Sequence, residues 1–306
     1  MPAINFKRLY QITGAGEDAD IAWRQDKSLL PRNMPCDECR QNCRLAFRSE
    51  GRPVWRCQRC GHDWKQSATT GVLFEGCRLS LGTILEVLFV SSGGGATMSS
   101  VKRVAPQVSN TLSNNTIVAW TWYFRDTCFS WIDEGLTTLR PRIGGAGKVV
   151  ERKYHQGRLV PGQRILGMIE LQTGTAGDRR RGGPVCLETI PNNCCNTATL
   201  IPLTQRHVVP GTTIVSDQWA VYNSLPAHQF NHLMVNNSLY FVDPQAWANT
   251  QTIESQWRAF KCHPSQGRGN LHKALGMHLC EFMRQREMNL RGTNPFLRFL
   301  EIAAAV

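Results

Sequence analysis

The sequence predicts an α+β protein built from several domains, and three observations support this fold class. Four cysteines form two close pairs within residues 34–66. Apolar residues recur at helical spacing through residues 76–135. After a glycine-rich stretch at residues 141–147, which we interpret as a linker, short β-type runs come first and helical patterns follow. The predicted domains are residues 1–33, 34–66, 76–135 and 141–300.

The chain is strongly basic. Of its 306 residues, 35 are Lys or Arg and 23 are Asp or Glu, which gives a net charge of +12. Such an excess indicates a polyanionic partner, most often a nucleic acid, although a merely basic protein is the alternative. Hydrophobic residues make up 42% of the chain, and this fraction argues against global disorder.

The apolar segments are short. The longest strongly apolar run, residues 84–90, contains Glu86 and is too short to span a bilayer. Residues 1–16 lack the apolar core of a signal peptide. We therefore expect an intracellular protein without a membrane partner, whose clustered cysteines bind metal rather than form disulfides.

The paired cysteines form two CxxC turns, and the turns are separated by residues 40–56. Each turn can place two thiolates on one ion, and this spacing is typical of structural zinc sites with paired knuckles. The four ligands are Cys36, Cys39, Cys57 and Cys60. Four thiolates leave no open coordination position, so the predicted zinc ribbon is structural. We interpret Cys43 as a packing residue and His62 as a rival ligand that the site does not need.

Residues 76–135 predict three helices with a polar turn between the last two. Thr116 is the expected cap of the third helix. The pattern resembles a helix-turn-helix, although any three-helix bundle would produce it. The candidate DNA-contacting residues are Lys102 and Arg103 in the second helix and Arg125 in the third.

Two carboxylates in the last predicted domain have a pattern typical of metal-ion sites. Asp217 ends an apolar strand, and Glu254 lies near the start of an apolar helical pattern. A carboxylate at a strand tip and another on a packed helix commonly hold divalent ions. Two such ions can stabilise the attacking and leaving oxygens of a phosphodiester.

Six stretches of the sequence carry a family resemblance: GKVVE, RKYHQGR, VPGQRILGMIE, PGTTIVSDQWAVY, HLMVNNSLYFVDP and NTQTIESQW. They resemble the DDE transposases of the Merlin type and their bacterial insertion-sequence relatives, over roughly residues 34–300. The resemblance implies an RNase H-like last domain whose Asp-Asp-Glu triad binds two magnesium or manganese ions and cuts and joins DNA. By position, Asp217 matches the second acid and Glu254 the third. It also implies transposon ends as the DNA partner, and a homo-oligomer.

The first acid of that triad has no counterpart in this chain. Relatives carry an Ile-Asp-Glu segment between the KVVE-like strand and the basic stretch, whereas here Arg152 follows Glu151 directly. The resemblance therefore implies a truncated first hairpin, which should disturb the sheet. Glu151 matches the residue two before the missing Asp. It is a weak substitute, because it lies about 7 Å short along the strand.

Other residues receive roles from their charge or position. The basic residues Arg152, Lys153 and Arg158 are expected to follow the DNA backbone. Lys261 lies on roughly the same helical face as Glu254, where it can meet a phosphate, and a lysine that only faces solvent is the alternative. His232 matches a family position near the active centre, and a purely structural histidine is the alternative.

Three hypotheses about function follow. The first is a transposase-like DNA-binding protein whose catalysis is impaired by the missing acid. The second is an active transposase whose missing segment is a gap in the sequence or the gene model. The third is a zinc-dependent DNA-binding regulator without nuclease activity. Whether the protein is an enzyme stays open at this point. The expected location is the nucleus in a eukaryotic host and the cytoplasm or nucleoid otherwise.

Overall fold

The structure is a computed structural model. It describes residues 5–13, 17–47, 53–60, 65–70, 72, 74–77, 79–93, 98–104, 112–138, 149–154, 163–171, 182–235, 250–261 and 271–304. The chain divides into two compact units. The first unit is Met1–Thr127 together with Thr293–Val306, and the second is Cys128–Gly292. The division falls within one long helix.

The first unit begins with two helices, α1 (Phe6–Thr13) and α2 (Glu17–Asp26). Leu9 of α1 is fully buried. In α2 the buried guanidinium of Arg24 donates to the carboxylate of Asp20, with a distance of 2.8 Å between Nη2 and Oδ2. Because a buried charge is costly unless it is paired, this contact within α2 allows Arg24 to be buried.

A small antiparallel sheet follows. Its strands, β1 (Arg44–Phe47), β2 (Pro53–Arg56) and β3 (Lys65–Ser67), lie in the order β1-β2-β3. Leu45 pairs with Trp55, whose side chain is buried. The strands are only three or four residues long and bury few large side chains, so this sheet needs further stabilisation.

Helices complete the first unit: α3 (Leu81–Ser92), α4 (Met98–Val104), the long α5 (Asn114–Thr138), and the C-terminal helix Pro295–Ala303. Phe89 of α3 stacks edge-to-face on Phe296 of the C-terminal helix, with ring centroids 5.2 Å apart. The predicted cap of α5 is wrong by three positions. The hydroxyl of Ser113 accepts the backbone N–H of Thr116, so Ser113 is the N-cap and Thr116 lies inside the first turn.

The second unit is built on a five-stranded mixed sheet. Its strands are β4 (Val149–Tyr154), β5 (Ile165–Leu171), β6 (Gly182–Thr189), β7 (Thr213–Asp217) and β8 (Asn231–Val235). Their order is β6-β5-β4-β7-β8. The β4-β5 and β5-β6 pairs are antiparallel, whereas β7 is parallel to both β4 and β8.

Helices cover both faces of this sheet. On one face, α6 (Thr197–His207) and the 3-10 segment Ala220–His228 pack against Leu166 and Ile214. On the other face, α7 (Gln251–Lys261) and α8 (Leu271–Arg291) pack against Ile169. The predicted mixture of helices and strands is confirmed.

The central strand β4 is paired on both sides. All six of its residues pair with β5, and Val149–Arg152 pair with β7, without a register shift. The disturbance expected at the truncated hairpin is therefore not found in the pairing of β4, although β5 and β6 shift register between Ile169 and Leu171. Residues 155–162, which contain Arg158, lie outside the described part of the chain. Among the described helices, none combines the length and apolarity that crossing a bilayer requires.

Candidate functional site

The four cysteines of the CxxC turns meet at one end of the small sheet. Their Sγ atoms all lie within 4.8 Å of one another. The Sγ atoms of Cys36 and Cys60 are 3.8 Å apart, and those of Cys39 and Cys57 are 3.5 Å apart. In a tetrahedral zinc site with bonds of about 2.3 Å, neighbouring sulfurs are about 3.8 Å apart. The arrangement therefore fits a structural zinc ion.

Backbone hydrogen bonds hold the first turn in shape. The N–H of Arg40 donates to the carbonyl of Cys36 at 2.8 Å, and the N–H of Cys36 donates to the carbonyl of Gln41 at 2.9 Å. Arg40 has a φ of 57°, in the left-handed region that costs a non-glycine residue about 1–2 kcal/mol. A metal ion bound to both cysteines of the turn would offset that cost.

The thiols also show why the site needs a cation. The N–H of Cys60 donates to the sulfur of Cys57 at 3.3 Å, and this contact lowers the pKa of Cys57 to about 6. By contrast, hydrogen bonding to Cys39, together with burial, raises the pKa of Cys60. Four neighbouring thiols cannot all lose their protons alone, because the negative charges repel. A divalent ion would supply the missing positive charge.

Cys43 lies near these ligands but does not belong to the cluster. Its side chain is buried, and its sulfur is 4.0 Å from the carbonyl oxygen of Gln41. Burial raises the pKa of Cys43 to about 11, so it stays a thiol at neutral pH. The structure thus supports the packing role predicted for it. His62 lies outside the described residues.

Asp217 and helix α7 lie on the same face of the large sheet. Asp217 is half-buried at the end of β7, two residues after Val215 and therefore on the same face. Val215 is in register with Glu151, and Glu151 with Ile169, which packs against α7. The predicted combination of a strand-tip carboxylate and a packed helix is present.

Glu254 lies in the first turn of α7. Its side chain is exposed, and the hydroxyl of Thr250 donates to its Oε1 at 3.4 Å. The helix is held by three buried apolar residues at helical spacing, Ile253, Trp257 and Phe260. The structure therefore presents Glu254 on a helix that the sheet itself positions.

Two further contacts fix the position of α7, and the sequence reasoning missed both. The indole of Trp257 lies over Gly167 of β5, so closely that a Cβ at position 167 would be 2.4 Å from Cζ2. On α8, Nη1 of Arg286 donates to Oε1 of Gln256 at 2.7 Å. Its Nη2 donates to the carbonyl of Gly182 at 2.6 Å. Arg286 thereby links α7 to α8 and to the start of β6.

His232 does not share the face of Asp217. Its Nε2 is hydrogen-bonded to the hydroxyl of Ser216 at 2.8 Å. His232 is in register with Ile214, whose side chain belongs to the core on the opposite face of the sheet. Its position favours the structural alternative over a role beside Asp217.

The predicted DNA-contacting residues differ in exposure. Arg103 of α4 and Lys261 in the last turn of α7 are exposed. Arg125 of α5 is buried, with 8% of its surface accessible, which disfavours a direct phosphate contact. The structure places Lys102 on α4 and Arg152 and Lys153 on β4 by their backbone alone.

The second unit is also the part of the chain that resembles known proteins. The sequence profile of the ISXO2-like transposase domain matches residues 126–287, more than half of the chain. The chain belongs to this family of DDE transposases. No curated protein and no solved structure matches the chain. The transposase domain contains the five strands of the large sheet, together with Asp217 and Glu254. The predicted class, a DDE transposase, is confirmed at the level of this family.

DDE transposases use divalent metal ions, so the donor set of the transposase domain can be tested for fit. Asp217 and Glu254 offer carboxylate oxygens, which magnesium and manganese prefer. Among the described residues, however, the four cysteines are the one group of three or more possible ligands whose atoms lie close enough to hold one ion. Among these residues, Asp217 and Glu254 do not belong to such a group. The sequence of β4, VVERKY, contains no aspartate. The described residues do not fit a site for two ions.

The transposase domain also contains a buried ion pair between β6 and α6. Nε2 of His207 contacts Oε2 of Glu188, and Nη1 of Arg206 donates to Oε1 of Glu188 at 2.7 Å. Burial alone would lower the pKa of His207. Hydrogen bonds to Cys186 and Glu188 outweigh burial and raise the pKa of His207 to about 9.

We therefore predict that the transposase domain loses stability as the pH rises. Because the folded-state pKa of His207 is above its usual value of about 6.5, the stabilisation is complete below that pH and is lost as the pH rises through 9. Between pH 7 and 9 the loss is about 2 kcal/mol. Urea unfolding at both pH values, in wild type and His207→Gln, measures it. Equal pH dependence in the two proteins would contradict the prediction.

Proposed function

We propose that this protein is a DNA-binding member of the DDE transposase class, of the Merlin type or its bacterial relatives, whose strand-cleaving activity is impaired. The observation that carries the proposal is the placement of Asp217 and helix α7 on one face of a sheet whose central strand has no aspartate. The order β6-β5-β4-β7-β8, with β4 parallel to β7 and antiparallel to β5, supports an RNase H-like domain.

DNA is the proposed partner of both units. The net charge of +12 favours a polyanion. In the first unit, the four-cysteine ribbon precedes helices α3, α4 and α5, and Arg103 of α4 is exposed. The exposed residues of α5 include Asn115 near its N-terminus, a residue type that reads adenine in the major groove. These features support a helix-turn-helix-like role for α4 and α5.

Zinc is the proposed ion of the four-cysteine site, because thiolates at these separations suit it. Asp217 and Glu254 carry carboxylates of the type that binds magnesium or manganese in an active enzyme, where such ions stabilise negative charge on a phosphodiester, but two carboxylates do not complete that site. Without a third carboxylate, one ion would lack ligands, so a large loss of cleavage rate follows. Self-association and, in a eukaryotic host, a nuclear location complete the proposal, by analogy with relatives.

A binding assay and a cleavage assay test the two halves of the proposal. The zinc-loaded chain should bind duplex DNA with an affinity that falls steeply with salt concentration. Arg103→Gln should weaken binding several-fold and reduce the salt slope by about one. Arg298→Gln is a matched control, since Arg298 is a partly exposed arginine of the same unit that pairs with Glu301 at 2.7 Å.

Cleavage is measured as nicking of supercoiled DNA in magnesium or manganese. Wild type should nick no faster than Asp217→Ala or Glu254→Ala, because all three proteins lack a complete set of ligands. If wild type nicks DNA and both substitutions abolish nicking, the impaired activity is refuted and the protein is an active transposase. If wild type shows no salt-dependent DNA binding, the DNA-binding half of the proposal fails.

A further inference from the structure

The position on β4 that stands level with Asp217 is occupied by a lysine. In the parallel pairing of β4 with β7, Glu151 is in register with Val215 and Arg152 with Ser216. Strand β4 continues to Tyr154, and β7 ends at Asp217. Continued by one residue beyond these pairs, the register places the backbone of Lys153 level with that of Asp217, on neighbouring strands about 4.8 Å apart.

The antiparallel neighbour of β4 connects the same position to α7. Lys153 is in register with Gly167 of β5. Gly167 is the residue over which Trp257 packs, and Glu254 precedes Trp257 by about one helical turn. Position 153 thus lies between β7, which ends in Asp217, and Gly167 of β5, on which helix α7 with Glu254 packs.

Glu151 does not take this place. It is level with Val215, two residues before Asp217, so its register position is about 7 Å away along the strand. A register slip that would bring Glu151 level with Asp217 is not present, because the pairs from Val149 to Arg152 follow one another without a break. The residue beside Asp217 on the central strand is a cation, not an acid.

We infer that a lysine at position 153, which the register of the sheet places level with Asp217, prevents assembly of the metal centre, and that this edge of the sheet binds DNA phosphate instead. The inference rests on the proposed function. A lysine has three donors and no acceptor, so it cannot ligate a metal, and its charge repels one. The same charge attracts a phosphate group. A lysine at this position would leave the fold and the DNA partner of the domain in place while removing its metal chemistry.

Manganese binding tests the inference without relying on cleavage. The zinc-loaded full chain is titrated with Mn²⁺ and followed by electron paramagnetic resonance of the free ion. The proteins compared are wild type, Lys153→Asp, Lys153→Met, and Lys153→Asp combined with Asp217→Asn. Circular dichroism confirms that each is folded, and duplex DNA affinity is measured on the same samples.

The expected result is that Lys153→Asp binds Mn²⁺ at least about tenfold more tightly than wild type, with Lys153→Met in between. Adding Asp217→Asn should remove the gain. The inference is overturned if folded Lys153→Asp gains no affinity, or if wild type already binds Mn²⁺ equally well through Asp217. If Lys153→Asp fails to fold, the Mn²⁺ affinity of Lys153→Met is the test. An affinity equal to that of wild type would then overturn the inference. Failure of wild type to bind DNA would instead refute the proposed function.

Discussion

Cys57→Ser is expected to remove the zinc ion and unfold the small sheet of the first unit. The strands β1, β2 and β3 are three or four residues long and bury few large side chains besides Trp55. Binding of a structural zinc ion contributes about 10 kcal/mol or more to the folding of such modules. Among the described side chains of the three strands, the buried apolar ones, Val54 and Trp55 among them, are too few to replace it. The expected zinc content therefore falls from about one ion per chain to none.

Elemental analysis measures the zinc, and limited proteolysis within residues 34–70 measures the unfolding. Cys43→Ser is the matched control, because Cys43 is buried beside the cluster but its sulfur is not one of the four ligands. That variant should keep its zinc and lose only about 1 kcal/mol of stability. Zinc retention by Cys57→Ser, or zinc loss by Cys43→Ser, would show that the ligands are assigned wrongly.

The zinc ligands were predictable because the chemistry is local. Two cysteines separated by two residues already form half of a site, so their spacing alone specifies Cys36, Cys39, Cys57 and Cys60. The strands β5 to β7 were predictable for a similar reason, since each contains a short run rich in β-branched or apolar residues. For β4 the run at residues 148–150 predicted only the first part, because the charged residues that follow obscure the rest. The strand β8, with its sequence NHLMV, was missed because exposed apolar residues and a histidine obscure its alternation.

Contacts between distant segments were not predictable. Gly167 lies in an ordinary β-type run, and nothing near it in the sequence indicates that Trp257 will pack over it. Arg286 reaches back more than a hundred residues to the carbonyl of Gly182, a pairing that depends on the completed sheet. Arg125 was assigned to DNA from its charge, whereas its burial depends on packing that helical periodicity does not report.

The register of β4 was likewise not predictable from the sequence. The sequence indicated which acid is missing, but it expected the sheet around Glu151 to be disturbed. Pairing of the β4 backbone with β5 and β7 is instead regular, without a register shift. Only with that register known does Lys153, rather than Glu151, become the residue level with Asp217.

Gly167→Val is expected to destabilise the transposase domain by about 3 kcal/mol or more, since overpacking in a closed core costs this much when neighbours cannot move. A Cβ at position 167 would lie 2.4 Å from Cζ2 of Trp257 and 3.0 Å from Cη2. An indole ring is rigid, so helix α7 has to move away from β5. Chemical denaturation of the variant and wild type measures the loss.

Gly276→Ala supplies the matched control, because its added Cβ would meet Phe129 at an ordinary 3.7 Å. Gly276 lies inside α8, where alanine is favoured over glycine by about 1 kcal/mol, so this variant should be more stable than wild type. The double variant Gly167→Val with Trp257→Leu should recover part of the loss, since the clash is removed. Without such recovery, the cost of Gly167→Val arises elsewhere, and Trp257 does not set the height of α7 above the sheet. If the double variant does recover stability, the coupling energy between positions 167 and 257 identifies Trp257 as the side chain that positions Glu254 relative to Asp217.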